Sequence, residues 1–302
     1  MSTLAVTGAL VWTSSGAPGS PDASHRVAAE NVADESKWPR PTPERGLAKG
    51  LTLPVEKYLV AYPEGVKWQQ AQRALWVGCM ARYGFTDFRP PVPGTHPPGH
   101  YNDANMARRY GISDETQAAR YGYHLPPEQA AEPPVWEPAP GAEQAVFTGE
   151  GPESADGTYN GKALPEGGCR GETSRKLGPA PQSPVASDAE ITALQQSMKD
   201  AKVQAAIAAW SACMKDKGHS VAHPYDPPEQ VDMAAATASE EEIGLAVDDV
   251  ACKKETSLIQ VWHKVESDAQ QVEITKRRTA LDAELSKKNT TVLKAQRALS
   301  GE

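Results

Sequence analysis

The sequence predicts a mainly α-helical protein whose first half is dominated by loops. From residue 187 onwards, apolar residues recur mostly every three or four positions, which is the spacing of one helix face. The chain contains 26 prolines and 24 glycines among 302 residues, and most of these helix-breaking residues precede residue 187. Four cysteines are available to tie the helices together. The predicted architecture is a Pro/Gly-rich first half, then a disulfide-tied α-hairpin with a long C-terminal helix.

The charge balance is acidic, with 31 Lys and Arg against 39 Asp and Glu and a net charge of −8. The sequence contains no block of Lys and Arg residues. This composition argues against a nucleic-acid-binding or anionic-membrane-binding protein, because both need positive charge opposite phosphate. No run of about eighteen apolar residues is present, so we expect no transmembrane span in this chain.

Residues 1–52 are predicted to be the remnant of an export signal followed by a disordered linker. A short apolar stretch at residues 1–12 is followed by sequence rich in Ser, Gly and Pro. This order is typical of a secretory signal, but the usual preceding basic residues are missing. An upstream start site would account for the difference, a disordered tail is the alternative, and N-terminal anchoring stays open. The prolines around Trp38 indicate a mobile linker.

Residues 53–186 are predicted to form a loop-rich, disulfide-tied helical domain. One helix is expected over residues 63–83, with Glu64 near its start and Gly84 at its end. The tripeptide Arg-Tyr-Gly occurs three times, at positions 82–84, 109–111 and 120–122. A basic residue followed by a Gly able to take positive φ is typical of a helix C-cap, so all three are interpreted as helix ends. Binding of a glycan-like polymer by these Tyr and Arg side chains is the alternative.

The cysteines occur in two matching contexts. Cys79 and Cys213 both lie in a W-x-x-C-M segment that ends at a glycine, and Cys169 and Cys252 lie downstream of each. Four cysteines allow three pairings, and the repeat favours Cys79 with Cys169 and Cys213 with Cys252. Cross-links over such spans remove roughly 4.6 and 3.9 kcal/mol of unfolded-state freedom in the loop-entropy treatment. Each Trp of the repeat is expected to pack beside its disulfide.

Metal binding is a weaker interpretation of the same cysteines. The sequence contains no C-x-x-C pair, which redox motifs and zinc ribbons need. His96 and His100 are separated by Pro-Pro-Gly and cannot share a helix face. Cys213, His219 and His223 have a conceivable ligand spacing, but the two histidines lie in loop-like sequence. We therefore expect neither a metal nor a cofactor.

Residues 187–302 are predicted to form a helical hairpin with an extended C-terminal helix. Capping boxes at Ser187–Glu190 and Ser239–Glu242 indicate two helix starts, and the first helix is expected to end near residue 217. No Pro or Gly lies between residues 245 and 299. A straight helix over residues 240–299 would be about 90 Å long. Its distal part must therefore project, bend back or pair with another helix.

We expect this distal part to extend from the domain and to contact a partner, an envelope or export-system protein. The candidate contact residues are apolar: Val272, Leu281, Leu285, Val292 and Leu299. Their heptad spacing is loose, so coiled-coil pairing with a partner helix stays an open alternative. The charged runs Glu266, Asp268, Glu273 and 276–278 are interpreted as a solvated helix face.

Three segments carry a resemblance to a known group of proteins. They cover residues 159–169, the W-x-x-C-M segment at 210–218, and the D-V-x-C-K segment at 249–254 followed by Val261 and Trp262. These segments resemble uncharacterised secreted or lipid-anchored actinobacterial proteins, over about residues 63–297. The resemblance implies two disulfides, an extracytoplasmic location, and association with cell-wall-binding proteins and ATP-driven export systems. The chain lacks that group's complete export signal, which leaves secretion versus anchoring open, and no catalytic residue carries over.

Catalytic motifs are missing from the sequence. It contains no G-x-S-x-G, H-E-x-x-H, P-loop or G-x-G-x-x-G pattern, so catalytic residues stay unassigned. We expect an extracytoplasmic, non-enzymatic binding or interaction protein of the cell envelope, accessory to a cell-wall or export system. An exported hydrolase that uses scattered carboxylates or histidines is the main alternative, and a purely structural spacer is the third.

Overall fold

The structure is mainly α-helical, as the sequence predicts. The computed structural model describes residues 33–98, 102, 104–127 and 135–301. The predicted signal remnant and the first part of the predicted linker, residues 1–32, lie outside these residues. The helices in the described ranges are α1 (Tyr62–Arg82), α2 (Glu115–Tyr121), α3 (Ala142–Thr148), α4 (Gly168–Leu177), α5 (Pro184–Ser197), α6 (Ala201–Asp216), α7 (Glu240–Glu255), α8 (Leu258–Lys276) and α9 (Arg278–Ser300). A small antiparallel sheet joins β1 (Thr158–Tyr159) to β2 (Lys162–Ala163). Single 3-10 turns lie at Glu35–Lys37, Glu56–Tyr58, Pro152–Ser154 and Pro227–Gln230.

Both predicted disulfides are present. Cys79 is bonded to Cys169 with a Cα–Cα distance of 5.6 Å, and Cys213 to Cys252 with 5.7 Å. The first bond ties α1 to α4, and the second ties α6 to α7. The pairing therefore follows the W-x-x-C-M repeat: the first cysteine of each pair lies near the end of a helix, and its partner lies in a helix that packs beside it.

The two tryptophans of the repeat have different surroundings. Trp76 packs in a small apolar cluster with the Cys79–Cys169 bond, stacked on Trp136 and edge-to-face with Phe147. Trp210 is fully buried in the main core that contains Cys252, and its indole N–H donates to Asp249.

The prediction of a mobile, disordered linker up to residue 52 is wrong for residues 33–52, the part of that segment that the structure describes. Trp38 is only 8% exposed, packs edge-to-face on Tyr62, and donates its indole N–H to the carbonyl of Gly94 at 2.9 Å. The backbone N–H of Leu47 donates to the carbonyl of Ser113. Burial of most of this large indole and its hydrogen bond to Gly94 fix the segment in spite of its prolines.

The predicted 187–217 helix is divided into α5 and α6. Helix α5 begins at Pro184, three residues before the predicted start, and its first amide groups at Val185 and Ala186 donate to the carboxylate of Glu284 on α9. The Ser187–Glu190 capping box is therefore wrong, because Glu190 lies inside the helix and is buried. Asp200 begins α6 as its N-cap. The second predicted start is correct, since Ser239 accepts from the amide of Glu242 as the N-cap, although Oε1 of Glu242 accepts from the amide of Tyr123.

The predicted 240–299 helix bends back twice and forms α7, α8 and α9. The first break is at Ser257, which has a left-handed backbone with φ 54°, and the second is at Arg277. Helix α8 packs on α5 and α6, while α9 packs along α1. The bends bring apolar faces out of water, which a straight helix of this length could not do.

The expectation that residues 272–299 extend away from the domain is therefore wrong. Leu281 is 0% exposed, Leu285 packs against the main core, and Val292 is half-buried. Ala295 is buried against Ala71 and Leu177 in a separate apolar cluster. Of the five predicted contact residues, Val272 and Leu299 remain exposed.

The main core combines residues from both halves of the chain. It joins Tyr58 and Tyr110 from before residue 187 to Trp210, Trp262 and Leu281 from after it. The described residues from Ala33 onwards belong to one compact unit. The loop at residues 104–114 passes through this core, and that placement builds the candidate site.

Candidate functional site

The loop at residues 104–114 carries two consecutive arginines with different surroundings. Arg109 is 7% exposed. Its Nη2 lies 2.6 Å from Oε1 of Glu266, its Nε lies 3.1 and 3.2 Å from the two carboxylate oxygens, and Nη2 also pairs with Glu190. Burial opposes the charge of Arg109, but the hydrogen bonds and the charges of the two glutamates together raise its pKa. The charged side chain of Arg109 therefore has a structural role in the core.

Neighbouring groups complete the hydrogen bonding of Glu266. Tyr110 donates its hydroxyl to Oε2 at 2.9 Å, and Gln270 donates to Oε1 at 2.9 Å. Burial first, and then the negative charge of Glu266, raise the pKa of Tyr110. Interpretation of Glu266 and Glu273 as parts of a solvated face is therefore wrong, since both are buried.

A second buried ion pair holds the end of the same loop. Lys253 and Asp249 lie 3.0 Å apart on α7, and Lys253 also donates to the carbonyl of Ile112 at 3.0 Å. Trp210 and Tyr123 donate to the two oxygens of Asp249. Burial lowers the pKa of Lys253 and raises that of Asp249. Because each charge has several partners, the pair anchors the loop backbone.

Gly111 has a spatial role and does not end a helix. Its φ is +80°, and a Cβ built on it would lie 2.5 Å from Nζ of Lys253 and 2.9 Å from the carbonyl oxygen of Pro224. The C-cap interpretation of Arg109-Tyr110-Gly111 is therefore wrong. The C-cap interpretation is correct for the other two Arg-Tyr-Gly copies, where Gly84 and Gly122 follow the ends of α1 and α2 and have positive φ.

The residues that follow α2 are fixed by the buried carboxylate of Glu242. Oε1 of Glu242 accepts from the backbone N–H of Tyr123 at 2.8 Å and lies 2.9 Å from Nδ1 of His124. Nε2 of His124 lies 3.1 Å from the carbonyl oxygen of Ala235. Each ring nitrogen of His124 thus faces an oxygen atom of another residue, so the ring is held on both sides.

A further layer covers the loop from the segment after α6. The hydroxyl of Tyr225 donates to the carbonyl of Arg109 at 2.5 Å, and burial raises the pKa of that hydroxyl to about 12. Trp262 stacks on Tyr110 with ring centroids 5.0 Å apart. Ser113 donates to the carbonyl of Ala107 within the loop. Contacts from α5, α7, α8 and this segment therefore hold the loop in one conformation.

The anchored loop lines a cleft of about 630 Å³. Its other walls are the segment at residues 36–45, the prolines and His96 of residues 95–98, and α2. Cations and carboxylates share the lining: Lys37, Arg40, Arg45, Arg108, Glu44 and Asp114. Trp38 supplies an aromatic surface. This volume is in the range of small-ligand sites, roughly 300–1,000 Å³.

Arg108 is the most enclosed cation of this lining. Its Nη1 donates to the carbonyl of Tyr123 at 2.7 Å, and its Nη2 donates to the carbonyl of His124 at 2.9 Å. Burial lowers the pKa of Arg108. The two carbonyls belong to the segment that Glu242 fixes, so the buried polar groups hold the guanidinium in position.

The sequence-predicted site residues lie away from this cleft. The four cysteines are joined in disulfides elsewhere, and the cleft lining contains none of the five C-terminal apolar residues. Arg109 belongs to a motif interpreted as a helix end, and Arg108, the residue before that motif, was assigned no role, so sequence reasoning missed both roles. The only available signal was the sequence Arg-Arg-Tyr-Gly, in which two adjacent charges precede a glycine.

Within the described ranges, no group of three His, Cys, Asp or Glu side chains is arranged to hold a metal ion. His219 instead bonds Asp248 at 2.9 Å, and His100 lies outside the described residues. Among the helices of the described part of the chain, none has the length and apolar character needed to cross a membrane. Comparisons with protein families, with characterised proteins and with solved structures give no match for this chain.

Proposed function

We propose that this protein is an exported, non-enzymatic binding protein of the cell envelope, accessory to a cell-wall or export system, and that the cleft beside Arg108 is its binding site. The observation that carries the proposal is the combination of an open cleft with an Arg side chain held by two backbone carbonyls. A preorganised charged group beside a ligand-sized space is typical of binding sites.

Support for export comes from the two disulfides. Such bonds persist in oxidising compartments and are rare in the cytosol. Both bonds join helices that also pack in apolar clusters, and no free cysteine accompanies them in the sequence. The resemblance to secreted or lipid-anchored proteins leads to the same location.

The alternative of an exported hydrolase has less support. The carboxylates of Glu190, Glu266 and Asp249 are buried and bound to Arg109 or Lys253. A carboxylate that acts on a substrate must reach it, and the lining of the cleft does not include these three residues.

Photocrosslinking in the native envelope tests the proposal. A photoreactive amino acid at position 117, in place of cleft residue Gln117, is expected to give specific adducts with an envelope component. The same group in place of Thr290, an exposed residue of α9 outside the cleft, is the control. Adducts at both positions, or at neither, would contradict a binding role for the cleft.

A partner protein at the C-terminal helix is a second part of the proposal. Leu293 and Leu299 on α9 are exposed apolar side chains, and such residues contribute to protein interfaces. A photoreactive group at position 299 tests this contact separately. Adducts there with a defined envelope or export-system protein would support it, and a reaction with water alone would refute it.

A further inference from the structure

Arg108 differs from the other cations around the cleft in its lack of an acidic partner. Arg40 pairs with Glu44 at 2.9 Å, and Arg45 lies 3.8 Å from Asp114. The guanidinium of Arg108 instead bonds two neutral carbonyls, and no carboxylate of the described residues lies within 4 Å of it. Carbonyl dipoles compensate only part of the positive charge of a largely desolvated guanidinium. A bound anion would compensate the remainder.

The guanidinium also retains hydrogen-bonding capacity. Arginine has five N–H donors in a planar fork, and two of its nitrogens make the contacts to Tyr123 and His124. The remaining donors belong to a side chain that lines the cleft. Guanidinium groups bind carboxylates and phosphates through short, charge-assisted hydrogen bonds.

The charge of the whole lining favours an anion as well. Four cations, Lys37, Arg40, Arg45 and Arg108, stand against the two carboxylates Glu44 and Asp114, although the net charge of the chain is −8. A locally positive cleft on an acidic protein concentrates small anions at that place. Asp114 lies beside Arg45, so the anion is expected next to Arg108.

The size and the apolar parts of the cleft limit the ligand further. The volume of about 630 Å³ exceeds that of a bare inorganic ion, and the Trp38 ring offers only a contact surface because its N–H is bonded to Gly94. We propose that Arg108 anchors an oxyanion site, in which the cleft binds a small organic ligand through a carboxylate or phosphate group. This inference rests on the proposed binding function of the cleft.

The test is titration of the oxidised full-length protein with inorganic phosphate, with succinate, and with neutral glycerol at low ionic strength. Calorimetry or amide chemical shifts report binding. We expect saturable binding of phosphate or succinate, no binding of glycerol, and weakening by added NaCl. Preference for phosphate or for succinate identifies the group that the site takes. No saturable binding of either anion would overturn the inference.

One variant in the cleft and one control outside it connect that binding to Arg108. Arg108→Gln keeps polar donors but removes the charge, and it should weaken anion binding by about tenfold or more, the loss expected for one charge-assisted contact. Lys264→Gln removes an exposed cation outside the cleft, and it should leave anion binding unchanged because exposed charges are largely screened by solvent. Equal anion binding by wild type and Arg108→Gln would refute the inference.

Ala107→Glu keeps the test valid if Arg108→Gln fails to fold. Ala107 is exposed and lines the same cleft. A carboxylate at this position should compete with the added anion for Arg108 and weaken anion binding, while the contacts of Arg108 to Tyr123 and His124 remain. Circular dichroism verifies folding of each variant. If the group at position 117 crosslinks but neither phosphate nor succinate binds, the proposed binding function is retained and the oxyanion site is rejected. If neither crosslinking nor anion binding is observed, both proposals are rejected.

Discussion

Arg109 and Glu266 are separated by 157 positions in the chain, yet their side chains form a buried, hydrogen-bonded ion pair. Arg109 comes from a loop and Glu266 from the middle of α8. The contact joins the first half of the protein to the second at the centre of the main core. Several properties of the fold depend on it.

Removal of one charge from this pair should be strongly destabilising. Glu266→Gln leaves Arg109 buried with Glu190 as its remaining carboxylate partner, and we expect a loss of about 3–5 kcal/mol of unfolding free energy. Chemical denaturation of the oxidised protein measures it. Asp268→Asn is the matched control on the same helix, because that side chain is 66% exposed in its pair with Lys264, and should cost less than about 1 kcal/mol. Similar losses of unfolding free energy for both variants would show that the buried pair contributes no more to stability than the exposed pair.

The disulfide that closes the longer loop should contribute more to stability, although only with the logarithm of the loop length. Paired Cys→Ser variants of Cys79 and Cys169 remove a link over 90 residues, and those of Cys213 and Cys252 a link over 39 residues. The loop-entropy treatment predicts losses of about 4.6 and 3.9 kcal/mol. Thermal and chemical unfolding measure both. Non-reducing peptide mapping that finds free thiols or other pairings would contradict the assignment.

Helix α9 should be necessary for folding. Leu281→Ala removes a fully buried side chain and should cost about 2–5 kcal/mol. Leu293→Ala changes a side chain on the same helix that is 54% exposed, and should cost less than about 0.5 kcal/mol. Removal of residues 278–302 is expected to cause unfolding or aggregation, because Lys288 also donates to the carbonyl of Leu59. A truncated protein with an unchanged thermal midpoint would show that α9 is dispensable.

Stability should fall in acid partly through Glu273. The hydrogen bond from Lys276 is the main cause that lowers the pKa of Glu273 in the folded protein. A lowered folded pKa means that the unfolded state binds the proton first, so this stabilisation is present above the unfolded pKa of about 4.3 and is lost as pH falls through the folded value. Glu273→Gln should therefore flatten the decline of unfolding free energy below about pH 5. Lys276→Gln should cause part of the same flattening. If the unfolding free energy declines as steeply in both variants as in the wild type, Glu273 is not a source of the acid sensitivity.

The sequence alone determined the local features of the fold. The helical class, the start of α7 at Ser239 and the end of α1 before Gly84 follow from periodicity and capping residues, which act within one or two helical turns. The disulfide pairing followed from a repeat in which each first cysteine has the same neighbours. None of these features requires knowledge of which helices pack together.

Only the tertiary structure decided the bends and the roles of the charged residues. Ser257 and Arg277 carry no sequence signal for a break, and the chain turns there because apolar faces of α8 and α9 find partners on α5, α6 and α1. Likewise, Glu266 has the same local sequence whether it faces water or Arg109. The free energy of a buried charge depends on partners that are distant in sequence, so local patterns could not distinguish Arg109 in the core from Arg108 at the cleft.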